Sequence, residues 1–440
     1  MKAPFRLSTR AARTHDQPIS YFMQQAVENP NLISLAAGLV DPGSLPAAEV
    51  RGVLDDLLRD PRTAQAALQY GTTQGYAPLR EKILTRALAL DGVKTRDVAL
   101  SAEDVVVTTG SQQLLYMVGE LLLDPGDIVI TEAPSYFVYH GTLTSLGVRT
   151  LQVPMDEDGM DTDALEELLK GLDRSGELER VKLIYTIDYF QNPTGLTLSL
   201  ARRRHLLDLA RRFSKKQRIF ILEDAAYREL RFEGVDVPSL KSLDEDNTHV
   251  ILAMTFSKPM APGLKTGYGL LPRELVGPVL RFKGNHDFGS SNLAQHLLDR
   301  LLASDVYDRH VANLREVYRA KRDTVLDALS EEFAGVPGST WTRPQGGMYV
   351  WLTIPVPTGP DSPFMKAALR EGVLYVPGQF CYVETGDGAL PKNEARLCFG
   401  VATPEQLREA VCRLGRTAAA CGVACVPCHL ETARQNVVKL

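Results

Sequence analysis

The stretch TFSKPMAPGLKTGYG, residues 255–269, follows the apolar run VILAM (250–254) and sets two lysines in a turn rich in proline and glycine. Lys258 comes directly off that run. An amine at the end of a buried strand loses hydration, which lowers its pKa and prepares it to form a Schiff base with a carbonyl. The plainer alternative is a surface lysine with a snorkelling stem. Lys265 would then occupy the other side of the site, facing an anion. Asp224 ends another apolar run, RIFILE (218–223), with Tyr227 close behind it. A carboxylate in that place either caps a turn or holds a positive charge on a ligand or an aromatic nitrogen. In TTGSQ (108–112), Ser111 either caps the helix that follows or joins backbone N–H groups in cradling a phosphate at the helix's positive end.

These residues need a frame that brings them to one place. From about residue 104 to 270, short β-branched or apolar runs alternate with amphipathic stretches. The strand candidates are DVVVT (104–108), DIVIT (127–131), VRTLQVP (148–154), VKLIYTI (181–187), RIFILE and VILAMTF (250–256). Helical stretches such as DTDALEELLKGL and LSLARRRHLLDLARRF lie between them. That alternation predicts an α/β fold with a mostly parallel central sheet, whose ligands sit at the carboxyl edge of the strands. The expected organisation is an irregular N-terminal arm with one short helix (1–45) that also completes the small domain, a large domain (46–324), a smaller α+β domain (325–420) and a cysteine-containing tail (421–440). Residues 292–330 read as a helical connection between the two domains. GGMYVWLTIP (346–355) and EARLCFG (394–400) read as strands of the smaller one.

The 440 residues suffice for a large core. A formal net charge of −5 argues against a chain dominated by nucleic-acid binding. No run reaches the ~20 apolar residues that span a bilayer, and the N-terminus lacks the apolar segment of a secretory signal. A cytoplasmic location is the expectation. All six cysteines lie at or beyond Cys381, so the main fold is not built on disulfides. The tail groups Cys421, Cys425, Cys428 and His429, but adjacent Cys428 and His429 would strain a shared tetrahedron, and no metal site is expected there.

Seven motifs in order tie these points together: QYGTTQGYAPLR, TTGSQQLL, EAPSY, QNPTG, EDAAYREL, TFSKPMAPGLK and EARLCFG. With them the chain resembles the fold-type I pyridoxal-phosphate aminotransferases of class I/II, in particular the 2-aminoadipate and kynurenine aminotransferase branch. The likeness runs from about Leu35 to Gly415. It implies pyridoxal 5′-phosphate as cofactor, carried by Lys258 as an internal aldimine. Asp224 would face the pyridine nitrogen and favour its protonated form. Tyr227 and Asn192 would stand near the phenolic oxygen, and Tyr136 would stack on the ring. Ser111, Gln112, Ser257 and Lys265 would hold the phosphate, with Thr255 nearby. Tyr70 would reach the phosphate of a partner subunit, which implies a homodimer. Arg396 would clamp the substrate α-carboxylate, with Asn192 and Gly38 in the same region.

The implied reaction moves an amino group from an L-amino acid of 2-aminoadipate, aromatic or branched-chain type to a 2-oxo acid, 2-oxoglutarate being the family's usual acceptor. Lyase, decarboxylase or racemase chemistry would use much of the same machinery. A non-catalytic, cofactor-sensing regulator would need a DNA-binding domain for which the stretch before Leu35 is too short. Two departures stand out. Lys265 replaces the arginine usual in APGLR, keeping the charge and losing the planar fork. Ala37 stands where relatives commonly have glycine. Asp188 is expected to be a solvated or capping residue, with selection of a polar or basic substrate side chain as the alternative. His286 and Asp287, in FKGNHDFGSSNLAQ, are left without a role.

Overall fold

The computed structural model describes residues 5–16, 18–29, 31–384 and 390–423. In the N-terminal arm, β1 covers Ile33–Ser34. The next eight strands are β2 (Val105–Thr108), β3 (Ile128–Ala133), β4 (Arg149–Asp156), β5 (Gly159–Met160), β6 (Val181–Thr186), β7 (Phe220–Asp224), β8 (Val250–Thr255) and β9 (Gly267–Leu270). The last five are β10 (Thr340–Trp341), β11 (Tyr349–Thr353), β12 (Val373–Leu374), β13 (Val376–Pro377) and β14 (Glu394–Cys398).

Strands β2 to β9 form one sheet in the order β2-β9-β8-β7-β6-β3-β4-β5. The β8-β7-β6-β3-β4 stretch is parallel, while β9 runs against both β8 and β2. Because β9 reverses between them, β2 points the same way as β8. Thr108 and Thr255 both pair with Gly267, so these two strands end at the same level. A second sheet, β10-β11-β14-β13, is antiparallel, and β1 pairs in parallel with β12.

The near-continuous apolar runs follow from burial on both faces. Val129, Leu183 and Leu222 enter one core cluster, while Ile128, Ile130, Ile184 and Ile221 enter the other. Leu165, Leu169 and Leu172, at helical spacing on the Thr162–Ser175 helix, cover the second face with Leu206 and Ala210 of the Leu200–Phe213 helix. Asp161 caps the first of these helices by accepting from the N–H groups of Asp163 and Ala164.

Three expectations are corrected. The GYG of residues 267–269 is not the tail of a turn but part of β9. The helical stretch 292–330 is two helices, Asn292–Ala303 and Val306–Phe333, with Ser304 and Asp305 between them. Among its described residues the arm carries two α-helices, Thr9–Arg13 and Pro18–Glu28, not one. No described helix is long and apolar enough to cross a membrane.

Candidate active site

The carboxyl ends of β2, β3, β6, β7 and β8 share one edge of the sheet, and the chain leaving each of them turns over a cavity of about 310 Å³. Gly38, Ser111, Gln112, Tyr136, Asn192, Asp224, Tyr227, Ser257, Lys258, Lys265 and Arg396 all line it, as does Thr255. Tyr70 does not: it is 83 % exposed, and its ring stands nearly perpendicular to that of Phe288, with centroids 5.7 Å apart.

Lys258 leaves β8 and turns inward. Its ammonium donates to the Gly38 carbonyl over 2.7 Å and lies 5.8 Å from the centre of the Tyr227 ring. Burial brings its pKa down to about 8; Cys398 and Asp224 oppose that shift, while the cations of Arg396 and Lys265 support it. Near neutral pH such an amine is available as a nucleophile and a base. A Cβ on Gly38 would lie 2.6 Å from the Tyr349 hydroxyl, so any larger residue there would displace that tyrosine. Ala37, by contrast, packs into the core.

Asp224 is buried at the end of β7. One carboxylate oxygen accepts from the Tyr185 hydroxyl at 3.0 Å and the other from the Ala226 N–H at 3.2 Å. Burial raises its pKa to about 6, while these two donors and Lys258 hold it down. The aspartate therefore both caps its turn and presents a negative charge to the cavity. Removing the Tyr185 donor leaves burial less opposed, so the acid limb of turnover should move to higher pH. A hydrogen bond to a charged group is worth about 1.5–3 kcal/mol, so Tyr185→Phe should shift that limb by roughly 1–2 pH units. A pH–rate profile checks this; an unmoved limb would deny Tyr185 any hold on Asp224. Glu132 is a second buried carboxylate close by, receiving hydrogen bonds from Thr186, Gln191 and the Ile187 N–H, with its pKa lifted by burial to about 7.

The Ser111–Leu122 helix begins at the cavity. Its cap is Gly110, at φ +75°, and no side chain satisfies the first-turn N–H groups. Ser111 is thus the first helical residue and not the cap that its type suggests. Gly267 of β9 runs so close that a Cβ on it would stand 2.6 Å from the Ser111 nitrogen. Thr255 and Ser257 bond hydroxyl to hydroxyl at 3.0 Å. Lys265 closes the Pro262–Leu264 turn in a left-handed conformation, φ +47°, and is exposed at the rim. An uncapped helix start with an adjacent cation is the donor set a phosphate needs. Asp224 and Lys258 are set beside it, one anionic and one an amine. This combination fits pyridoxal phosphate: anion holders, a carboxylate for a ring nitrogen and an amine for an aldehyde.

Arg396 lies on β14 and is 1 % exposed. It donates through Nη1 to the Asn192 side-chain oxygen at 2.8 Å and through Nη2 to the Ala36 carbonyl at 2.6 Å. Its Nε–H has no acceptor, and its guanidinium lies 4.5 Å from the centre of the Tyr349 ring. Among the described residues no carboxylate pairs with it. A buried cation in that state suits an incoming carboxylate. Tyr349 also bonds hydroxyl to hydroxyl with Tyr227 at 3.0 Å. Sequence reasoning singled out neither Tyr349 nor Tyr185, since each sits inside an apolar strand run where a core tyrosine is the default reading.

Asp188 is neither solvated nor in the cavity. It is fully buried and ion-paired with Arg203, which also donates to the Asp188 and Leu198 carbonyls at 2.7 and 2.9 Å. Cys421 is a free cysteine, while Cys425, Cys428 and His429 lie outside the described residues. Among the described residues no group of three or more His, Cys, Asp or Glu could hold a metal ion.

A mostly parallel sheet covered on both faces, with a lysine, an aspartate and an uncapped helix start at one edge, defines an α/β enzyme of the fold-type I pyridoxal-phosphate class. The family model for class I and II aminotransferases matches residues 31–414. The chain is 36 % identical over 392 residues to aromatic-amino-acid aminotransferase 1 of Thermococcus litoralis, covering 89 % of each chain. It is also 36 % identical over 392 residues to the 2-aminoadipate transaminase of Thermus thermophilus, covering 88 % of this chain and 90 % of that one. The kynurenine aminotransferase structure of Pyrococcus horikoshii superposes with a TM-score of 0.85 at 32 % identity, over 94 % of this chain and 97 % of that one. The chain belongs to the class I and II aminotransferase family, and it is an aminotransferase that uses pyridoxal 5′-phosphate and acts on amino acids and 2-oxo acids.

Proposed function

We propose that the protein transfers the amino group of an L-amino acid of 2-aminoadipate, aromatic or branched-chain type to a 2-oxo acid, with 2-oxoglutarate as the acceptor. The observation that carries this reading is one cavity in which Lys258, Asp224 and the carboxylate-free Arg396 all face inward. When bound, pyridoxal phosphate supplies an aldehyde that takes the amino group and a ring that accepts electrons from the α-carbon. Arg396, steadied by Asn192 and the Ala36 carbonyl, holds the substrate carboxylate in direction as well as place. Lys258 takes the α-proton and returns a proton to the carbon of the former aldehyde, a task suited to a pKa near 8. Asp224 keeps a proton on the ring nitrogen. Ser111, Gln112, Ser257 and Lys265 anchor the phosphate, and Tyr136, Tyr227 and Asn192 bound the ring.

The same reading makes the protein a cytoplasmic homodimer. Tyr70, exposed and away from its own chain's cavity, would reach the phosphate site of the other subunit. It also divides each subunit into the arm, the large and small domains and the tail at residues 45, 324 and 420.

The test is an absorbance scan of the cofactor-loaded protein mixed with single amino acids and no 2-oxo acid. The panel comprises 2-aminoadipate, kynurenine, phenylalanine, leucine, glutamate, lysine and alanine. Conversion of the cofactor band to that of its amine form, reversed by 2-oxoglutarate, is the expected result and ranks the donors. A band that reverts to its starting form, with release of ammonia or carbon dioxide, would replace transfer with elimination or decarboxylation.

A further inference from the structure

The Arg273–His286 helix ends in the segment for which the sequence offered no role, and its end lies directly behind the uncapped helix start. Lys283 is fully buried. Its ammonium donates to both carboxylate oxygens of Asp287, at 2.8 and 3.0 Å, to the Ser290 hydroxyl at 3.0 Å and to the Gln113 side-chain oxygen at 3.3 Å. Asp287 in turn accepts from the Gln113 amide at 2.7 Å and from the Thr109 hydroxyl at 3.2 Å. The Gln113 oxygen takes the Thr109 backbone N–H at 2.8 Å. The Thr109 hydroxyl also lies 3.2 Å from that of Ser290, and His286 Nδ1 lies 3.1 Å from the Gln113 amide.

Thr109 and Gln113 flank Gly110, Ser111 and Gln112 on either side, so this network holds both ends of the phosphate loop. A lone carboxylate behind such a loop would repel a phosphate. Paired with Lys283, Asp287 adds no net charge, and its effect is on geometry. Anion binding by backbone N–H groups depends on their convergence, which a loop fixed in advance supplies without an ordering cost at binding.

We propose that Lys283 and Asp287 are positioning residues for the cofactor phosphate: by locking Thr109 and Gln113 they aim the Ser111 and Gln112 N–H groups before the cofactor arrives. This rests on the assignment of Ser111 and Gln112 to the phosphate. Loss of the carboxylate removes hydrogen bonds to a charged group, worth about tenfold to a hundredfold in affinity.

The test compares the binding of pyridoxal phosphate and of pyridoxal, its phosphate-free form, to full-length cofactor-stripped protein by absorbance titration. Asp287→Ala should weaken pyridoxal phosphate by about 10- to 100-fold and leave pyridoxal unchanged. The paired variant Lys283→Met/Asp287→Leu leaves no buried charge unpaired, so it keeps the fold intact should the single change not. The same selective loss is expected of it. Equal loss for both ligands, or loss for neither, overturns the proposal. A wild-type protein that binds the two ligands equally well would instead refute the phosphate assignment itself.

Discussion

Replacing Lys258 with alanine should lower amino-transfer turnover by about 10⁴-fold, the upper range of what a positioned acid–base group contributes. The other amine at the cavity, Lys265, is exposed at the rim and cannot substitute. Small primary amines added to the variant should restore part of the rate, because the space vacated by the side chain leaves room for them. A rate that stays within tenfold of wild type would remove Lys258 from the chemistry. The same change should stabilise the cofactor-free protein. The folded pKa of about 8 lies below the ordinary lysine value of 10.5, so burying the ammonium costs folding free energy at neutral pH. That cost is fully present below pH 8 and vanishes as pH rises toward 10.5. Thermal melts should therefore show the variant's advantage at neutral pH and its disappearance in alkaline buffer.

Arg396→Met should raise KM for amino acids by at least about 10²-fold, since two hydrogen bonds to a carboxylate, each worth about 1.5–3 kcal/mol, are lost together. The control is an amine without a carboxylate. Its weak reaction, if the wild type supports one, should be untouched by the substitution, because the arginine never met it. Equal damage to both substrates would mean that Arg396 serves the fold and not the substrate. The site argues for the substrate: a fully buried cation with no carboxylate partner among the described residues is a cost to stability. Methionine fills a similar volume without it, so the melting temperature of the free variant should equal or exceed that of wild type.

How far the sequence could be read depended on what each signal measures. Apolar runs mark strands: β2, β6 and β8 fell within them, while β3, β4 and β7 began in them and ran one or two residues further. Strand β9 did not, because Gly267 and Gly269 read as turn residues. Their true cause is crowding: a Cβ on either would meet the helix behind, at the Ser111 nitrogen or the Leu114 side chain. Nothing in one dimension reports that approach. Lys258 and Asp224 were legible because their types are unusual at the end of a buried strand, whereas Tyr136, Asn192 and Arg396 were reached only through the family resemblance. Tyr185 and Tyr349 gave no such sign, since a tyrosine in a strand looks the same whether its hydroxyl meets Asp224, Tyr227 or nothing. Asp188 misled for the opposite reason. Its partner Arg203 lies on the following helix, and only folding sets the two together.

The hydrogen bonds of Arg396 and Lys258 to the carbonyls of Ala36 and Gly38 tie two side chains that are far apart in sequence to one short segment. A displacement of residues 36–38 therefore reaches the Lys258 amine and the Arg396 guanidinium together. The two groups are mechanically linked through backbone that neither of them belongs to, so a change confined to that segment should disturb both at once.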